Sequence, residues 1–122
     1  MGGKRKFICY IEMYRYNRHM TKSSTQTDLL KLEALEQAAA CLRTVAHPHR
    51  LRMIQMLLGG SYTVGELAVA CEIPPSSASE HLGKMRDRGL IVGKRQGRAI
   101  YYEIAEQGLR SIIDCIEKRF GE

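Results

Sequence analysis

The sequence predicts a mainly α-helical fold with one β-hairpin, in the order helix-helix-helix-helix-strand-strand-helix. Three observations predict it. Thr63-x-x-Glu66 is a capping box, in which the hydroxyl and the carboxylate each satisfy a backbone N–H at the start of a short apolar stretch. A second helical stretch, Pro75 to Arg88, follows after the turn Cys71-Glu72-Ile73-Pro74. Residues 90–104 then switch to strand-like spacing on either side of Gly97.

The first helix is expected to begin near Thr27 or Asp28, after the polar run SSTQT. Leu29, Leu32, Leu35, Ala39 and Leu42 recur every three or four residues and define one apolar face. Ala38, Cys41 and Val45 widen that face, which suits a helix packed on its own domain and on a partner subunit. His47-Pro48 ends it, because the residue before proline avoids helical geometry. A second helix starts at Pro48, turns Leu51, Ile54, Leu57 and Leu58 inward, and stops at Gly59-Gly60.

The capping box opens a helix from Val64 to Ala70 with Leu67 and Ala68 inward. The next helix carries Ala78, Leu82 and Met85 on one face and Ser76, Ser79, Glu80, Gly83 and Asp87 on the other. A short helix, a tight turn and a longer helix with a small polar outer face form the helix-turn-helix pattern. The hairpin pairs Leu90-Ile91-Val92 with Ile100–Ile104 and presents Lys94, Arg95 and Arg98 at its tip. The last helix, Glu106 to Phe120, has Leu109, Ile112, Ile113 and Ile116 as its apolar face.

Charge narrows the reading further. The 122 residues carry a formal +6, but residues 1–22 hold six basic side chains against one acidic, leaving only +1 for the remainder. Residues 1–20 therefore read as a basic, aromatic N-terminal extension, with residues 21–122 as the folded domain. Two readings of the extension stand side by side: a poorly ordered or non-native tail, or an arm that touches phosphates. No apolar run is long enough to cross a membrane and no secretory signal is visible, so cytoplasmic location and reduced thiols are expected. No nucleophile elbow, phosphate loop or zinc-hydrolase motif is present, so an enzyme is not expected.

The string TVGELAVACEIPPSSASEHLGKMRDRGLIVGKRQGRAIYYEI resembles the ArsR/SmtB family of winged helix-turn-helix repressors. The likeness spans roughly residues 28–120 and is carried by S-x-S-x-H-L, L-x-x-M-x-x-x-G-L-I and R-x-I-Y-Y. HPHRLRMIQML is similar to the family's second helix. The resemblance implies a homodimer built on the first and last helices, double-stranded DNA with a palindromic operator as partner, and release by an inducer. Carried over by position, Pro75, Ser76, Ser79 and Glu80 would lie nearest base edges, with Lys84 and Arg86 better placed for the backbone. Lys94, Arg95 and Arg98 of the wing would reach phosphates or the minor groove. Pro75 replaces a polar residue often found there and Glu80 repels phosphate, so the operator's sequence stays open.

The same resemblance argues against the family's usual metals. One metal site falls on Thr63 and Gly65, which cannot bind a thiophilic ion. The other falls on Glu106, Gly108, Arg119 and Glu122, where glycine and arginine offer no ligand, so neither metal nor cofactor is expected. Cys41 and Cys115, on the two helices expected at the dimer interface, are the candidate thiol or soft-metal sensor, weighed against simple burial. His47 and His49 stand two apart and do not share a helix face, so His49 is expected to serve packing or helix capping and not metal binding, and His81 reads as a second-layer hydrogen-bonder or a phosphate contact, not as a ligand. Two other functions compete. One is a winged-helix module for protein–protein assembly, which the basic wing and serine-rich face disfavour; the other is a constitutive DNA-binding regulator with no sensor.

Overall fold

A computed structural model of the chain describes residues 29–121. Helices α1 (Leu32–Val45) and α2 (Pro48–Leu57) are followed by a two-residue strand β1 (Tyr62–Thr63). Helices α3 (Val64–Cys71) and α4 (Pro75–Asp87), strands β2 (Ile91–Gln96) and β3 (Ala99–Ile104), and helix α5 (Leu109–Phe120) complete the order. This is the expected mainly α architecture with a β wing.

Local chemistry sets the boundaries. The expected start of α1 at Thr27 or Asp28 lies outside the described residues, and the helix opens only at Leu32, with the Lys31 carbonyl accepting from the Leu35 N–H. Hydrophobic periodicity marks a face, not the residue at which the first hydrogen bond closes. His47 is extended (φ −153°, ψ 133°), as the residue before proline must be, and its Nδ1 accepts from the His49 N–H at 3.1 Å. Both halves of the Thr63–Glu66 capping box form. Helix α3 then stops at Glu72, a non-glycine residue in the left-handed region (φ 57°), where the N–H groups of Glu72 and Ile73 close on Val69 and Ala68. That termination turns the chain into α4.

The sheet has the order β1-β3-β2 and is antiparallel throughout. Strand β1 was not expected from sequence, since two residues are too few to show a period. It adds Tyr62 opposite Tyr102 and Thr63 opposite Tyr101, tying the start of α3 to the wing. Strand β2 also runs further than expected, through Lys94 and Arg95 to Gln96, so only Gly97 and Arg98 remain as the loop. Gly97 has φ +64°, and glycine at the first loop position matches the twist of a two-residue hairpin. Helix α5 begins at Leu109 rather than Glu106, because Glu106 accepts from the Gly108 N–H through its carboxylate and stays outside the helix.

Ala78, Leu82 and Met85 of α4 are wholly buried, in one core with Leu67 and Ala68 of α3 and Met53, Ile54 and Leu57 of α2. Leu90, Ile91 and Tyr102 carry that core to the sheet, and Leu109 and Ile113 carry it to α5. Helix α1 differs: Val45 is its one buried residue, while Leu32 is 73% exposed and Leu42 52%.

Two substitutions test these end signals by thermal denaturation. Thr63→Ala should cost about 1 kcal/mol and lower the Tm by roughly 4–8 °C. Glu72→Gly should raise the Tm, because relief of about 1–2 kcal/mol of left-handed strain exceeds the entropic cost of glycine.

Candidate nucleic-acid interface

The buried stripe of α4 fixes which of its residues face outward. Pro75, Ser76, Ser79, Glu80, Lys84 and Arg86 are all exposed. Pro74 precedes the helix and supplies no side-chain cap, so the first-turn N–H groups are left for solvent or another acceptor. The positive end of the helix dipole lies at the same place. Glu80 forms an ion pair with Lys84 at 3.7 Å, and Arg86 one with Asp87 at 3.7 Å. Both are exposed, and such pairs contribute little in water and exchange readily.

The wing presents its cations differently. Lys94, Arg95 and Arg98 are exposed, but Lys94 Nζ lies 3.1 Å from Glu103 Oε1 on the neighbouring strand. Successive side chains on β2 alternate faces, so Lys94 and Arg95 point to opposite sides of the hairpin. Gly93 was not singled out from sequence. A Cβ there would lie 3.0 Å from Ile100 Cγ2 and 3.3 Å from Tyr102 Cε1, so the missing side chain lets those two residues pack over β2. An isolated glycine inside a strand was the available signal.

Behind α4, the side chain of Arg50 on α2 links two other elements. Its Nε donates to His81 Nδ1 at 3.0 Å and its Nη1 to the Thr44 carbonyl at 2.7 Å, in the last turn of α1. His81 is therefore a half-buried hydrogen-bonder on the inner side of α4. The His47 ring lies 4.5 Å from the His81 ring, and the His49 ring is 5.2 Å from His47 and 5.7 Å from His81, centroid to centroid. The two-residue spacing gave no sign of this convergence. His47 stands just outside the helix in extended backbone, so the rule about helix faces does not govern its ring. Burial lowers the His47 pKa from 6.5, reinforced by Arg50, His49 and Lys84. Burial also lowers His81, reinforced by His47, Arg50 and His49 and partly opposed by Glu80.

Among the described residues, the three cysteines lie on three different helices. Cys41 is half-buried on α1 and Cys115 is buried on α5. Cys71 is buried at the end of α3, where its Sγ donates to the His49 carbonyl at 3.5 Å. Burial pushes its thiol pKa up, with Arg52 opposing, so Cys71 stays protonated. Thr63 is committed to its capping box and Glu106 to the turn before α5.

The sequence profile of the bacterial regulatory proteins of the arsR family matches residues 47–92, from the His47 cap through α4 into β2. The chain is 42% identical over 93 residues to the HTH-type transcriptional regulator YgaV of Escherichia coli K12, an overlap of 75% of this chain and 94% of that protein. It is 32% identical over 80 residues to the biofilm growth-associated repressor of Agrobacterium fabrum, covering 66% of this chain and 68% of that one. Its fold is similar to the solution structure of a homodimeric winged helix-turn-helix DNA-binding domain from Mycobacterium bovis. The TM-score there is 0.63, at 25% identity, over 74% of this chain and 85% of that domain.

The histidines generate a pH prediction. Both shifted values lie below the ordinary 6.5. As pH falls through 6.5, the unfolded chain therefore binds protons before the folded one, and stability is lost toward the lowered values. Denaturant midpoints measured with a chelator present should fall between neutral and mildly acid pH. A His47→Asn, His81→Gln double variant should show a smaller fall; an equal fall in both proteins would remove the assignment.

Proposed function

The chain belongs to the arsR family of bacterial regulatory proteins and is a DNA-binding transcriptional regulator; on that premise we propose that it is a homodimeric repressor of a two-fold symmetric operator, released by an inducer. The observation that carries this reading is the outer face of α4. Its residues are small, hydroxylated and exposed, while the opposite face is locked into the core. A helix so presented fits a major groove about 12 Å wide.

In that placement Ser76 and Ser79 bond base edges or phosphates, and Glu80 accepts from a cytosine amino group once Lys84 turns to the backbone. Pro75 offers an apolar contact in place of a hydrogen bond. Lys84 and Arg86 meet phosphates, as do Arg95 and Arg98 from the wing, while Lys94 first gives up its pair with Glu103. The exposed Leu32, Leu35 and Leu42 on α1 and Phe120 on α5 supply the apolar surface for a second copy. The homodimeric state of the similar mycobacterial domain supports the same assembly.

Residues 21–122 act as the binding and dimerisation domain, with residues 1–20 as an extension. Such a regulator works in the cytoplasm; among the described residues no helix is long and apolar enough to cross a membrane. Cys41 and Cys115, on the two helices of the proposed interface, are the thiols at which a thiol-reactive inducer or a soft metal would act. Replacing both with serine would leave the DNA response to oxidant unchanged only in a regulator without that sensor.

The test is an anisotropy titration of reduced protein into labelled duplex from its own upstream region, at two salt concentrations, with random duplex as competitor. Specific binding should exceed non-specific binding by on the order of a thousandfold or more. Arg95→Ala or Arg98→Ala should weaken all duplexes alike and reduce the salt slope by about 1. Ser79→Ala should erode the preference for the cognate duplex. Failure to bind at low salt would overturn the DNA-contact assignment.

A further inference from the structure

Among the described residues, one group of potential metal ligands converges. His47, His49 and His81 each bring a ring nitrogen to within 4.8 Å of the other two. They come from two elements: His47 and His49 from the cap and first turn of α2, and His81 from the middle of α4, on the side away from Ser76 and Ser79. All three are half-buried. None belongs to the positions at which the family resemblance places metals, which fall on Thr63 and Gly65 and on the α5 region.

We propose that His47, His49 and His81 form a site for a borderline divalent transition-metal ion, with Zn2+ or Co2+ as suitable ions, that joins the start of α2 to the DNA-facing helix α4. Three imidazoles with an open fourth position are a known donor set for such ions, and neutral nitrogen suits them better than Mg2+ or Ca2+. Zn–N bonds of about 2.0–2.1 Å in a tetrahedron place the donor atoms roughly 3.3 Å apart. The rings must therefore draw in by at most about 1.5 Å.

Binding has a defined local consequence. In the structure His81 Nδ1 accepts from Arg50 Nε, and His47 Nδ1 accepts from the His49 N–H. Each of those two neutral rings therefore carries its proton on Nε2. An ion taken at Nδ1 displaces the donor there, and one taken at Nε2 moves the proton to Nδ1, where it opposes the same donor. By either route the Arg50–His81 hydrogen bond breaks. The positive Arg50 and the nearby Lys84 also oppose the ion, which sets its affinity below that of an acidic metal site. The metal thus exchanges one tie between α2 and α4 for another of different geometry. Its influence on operator affinity rests on the DNA-binding reading; its occupancy does not.

The experiment separates the two. Full-length reduced protein is titrated with Co2+, following the visible absorption of tetrahedral cobalt, and with Zn2+ against a chromophoric chelator. One ion per chain is expected, with a nitrogen-dominated cobalt spectrum. His47→Asn preserves the cap, and His49→Gln and His81→Gln preserve volume; circular dichroism checks that each variant folds. Each should weaken binding by more than the roughly tenfold to hundredfold typical of losing an outer-shell partner. Undiminished binding in the triple variant, or thiolate charge-transfer bands in the cobalt spectrum, would place the ion on cysteines or other residues and overturn the site. So would absence of binding to the folded wild-type chain. Anisotropy with operator duplex, with and without Zn2+, then reads the coupling: a metal-dependent change lost in His81→Gln is expected. A stoichiometric ion with unchanged DNA affinity would keep the site and remove its regulatory role.

Discussion

The outer surface of α4 depends on one constraint: Ala78, Leu82 and Met85 never reach water. Burying a leucine or methionine side chain is worth about 1.5–3 kcal/mol, so rolling the helix enough to expose the stripe would cost much of a small domain's stability. Because the stripe recurs every three or four residues, it fixes the rotation of α4 about its own axis, and the opposite face then has no freedom in what it presents. Ser76 and Ser79 are outward because Ala78 and Leu82 are inward. The wing is fixed through the same core, since Leu90, Ile91 and Tyr102 share it.

Apolar packing is non-directional, and arginines supply the direction. Arg50 donates to the Thr44 carbonyl in the last turn of α1, Arg52 to the Ala70 carbonyl at the end of α3, and Arg110 to the Leu58 carbonyl at the end of α2. Three helix C-termini, each with unsatisfied carbonyls and a partial negative charge, thus receive a guanidinium from another part of the chain. These contacts also qualify the charge argument. The domain beyond residue 22 is nearly neutral by count, and three of its cations are engaged on backbone carbonyls. On α4 and the wing, the exposed positive charge therefore rests on a few side chains.

Most of the fold was legible because its signals are local. The Thr63–Glu66 box, Pro48 at the start of α2, Gly97 in the hairpin and the periodicity of α4 each act within a few residues of chain. What escaped was non-local or non-periodic. Strand β1 exists because β3 offers it partners, and Glu72 ends α3 by adopting a conformation that its residue type disfavours. The three-histidine cluster depends on the crossing of α2 and α4, which spacing along one element cannot reveal. The outer face of α4 was readable for the opposite reason: it is the complement of a periodic buried stripe. Cys41 and Cys115 were legible as residues on α1 and α5, but residue spacing carries no information on how two distant helices meet.

A switch in such a molecule must act on a seam that has two arrangements, because a ligand shifts an equilibrium only by its differential affinity for two states. The α3–α4 turn is a poor place for one. Cys71 is buried, its thiol is held protonated, and its hydrogen bond to the His49 carbonyl is part of the packing it would have to disrupt. Thiolate is the reactive form, so chemistry there is slow as well as destructive. The seam between α2 and α4 is different. Beside the apolar core that α2 and α4 share lies a half-buried polar patch, in which Arg50 Nε donates to His81 Nδ1 across the seam and the His49 N–H donates to His47 Nδ1 within the start of α2, each to an imidazole nitrogen whose acceptor capacity an ion can remove. The cost of changing it is one or two hydrogen bonds, about 0.5–3 kcal/mol each depending on charge, and not the core. That is the size of a regulatory coupling, about 1–3 kcal/mol, and it lies directly behind the helix whose exposed face carries the serines.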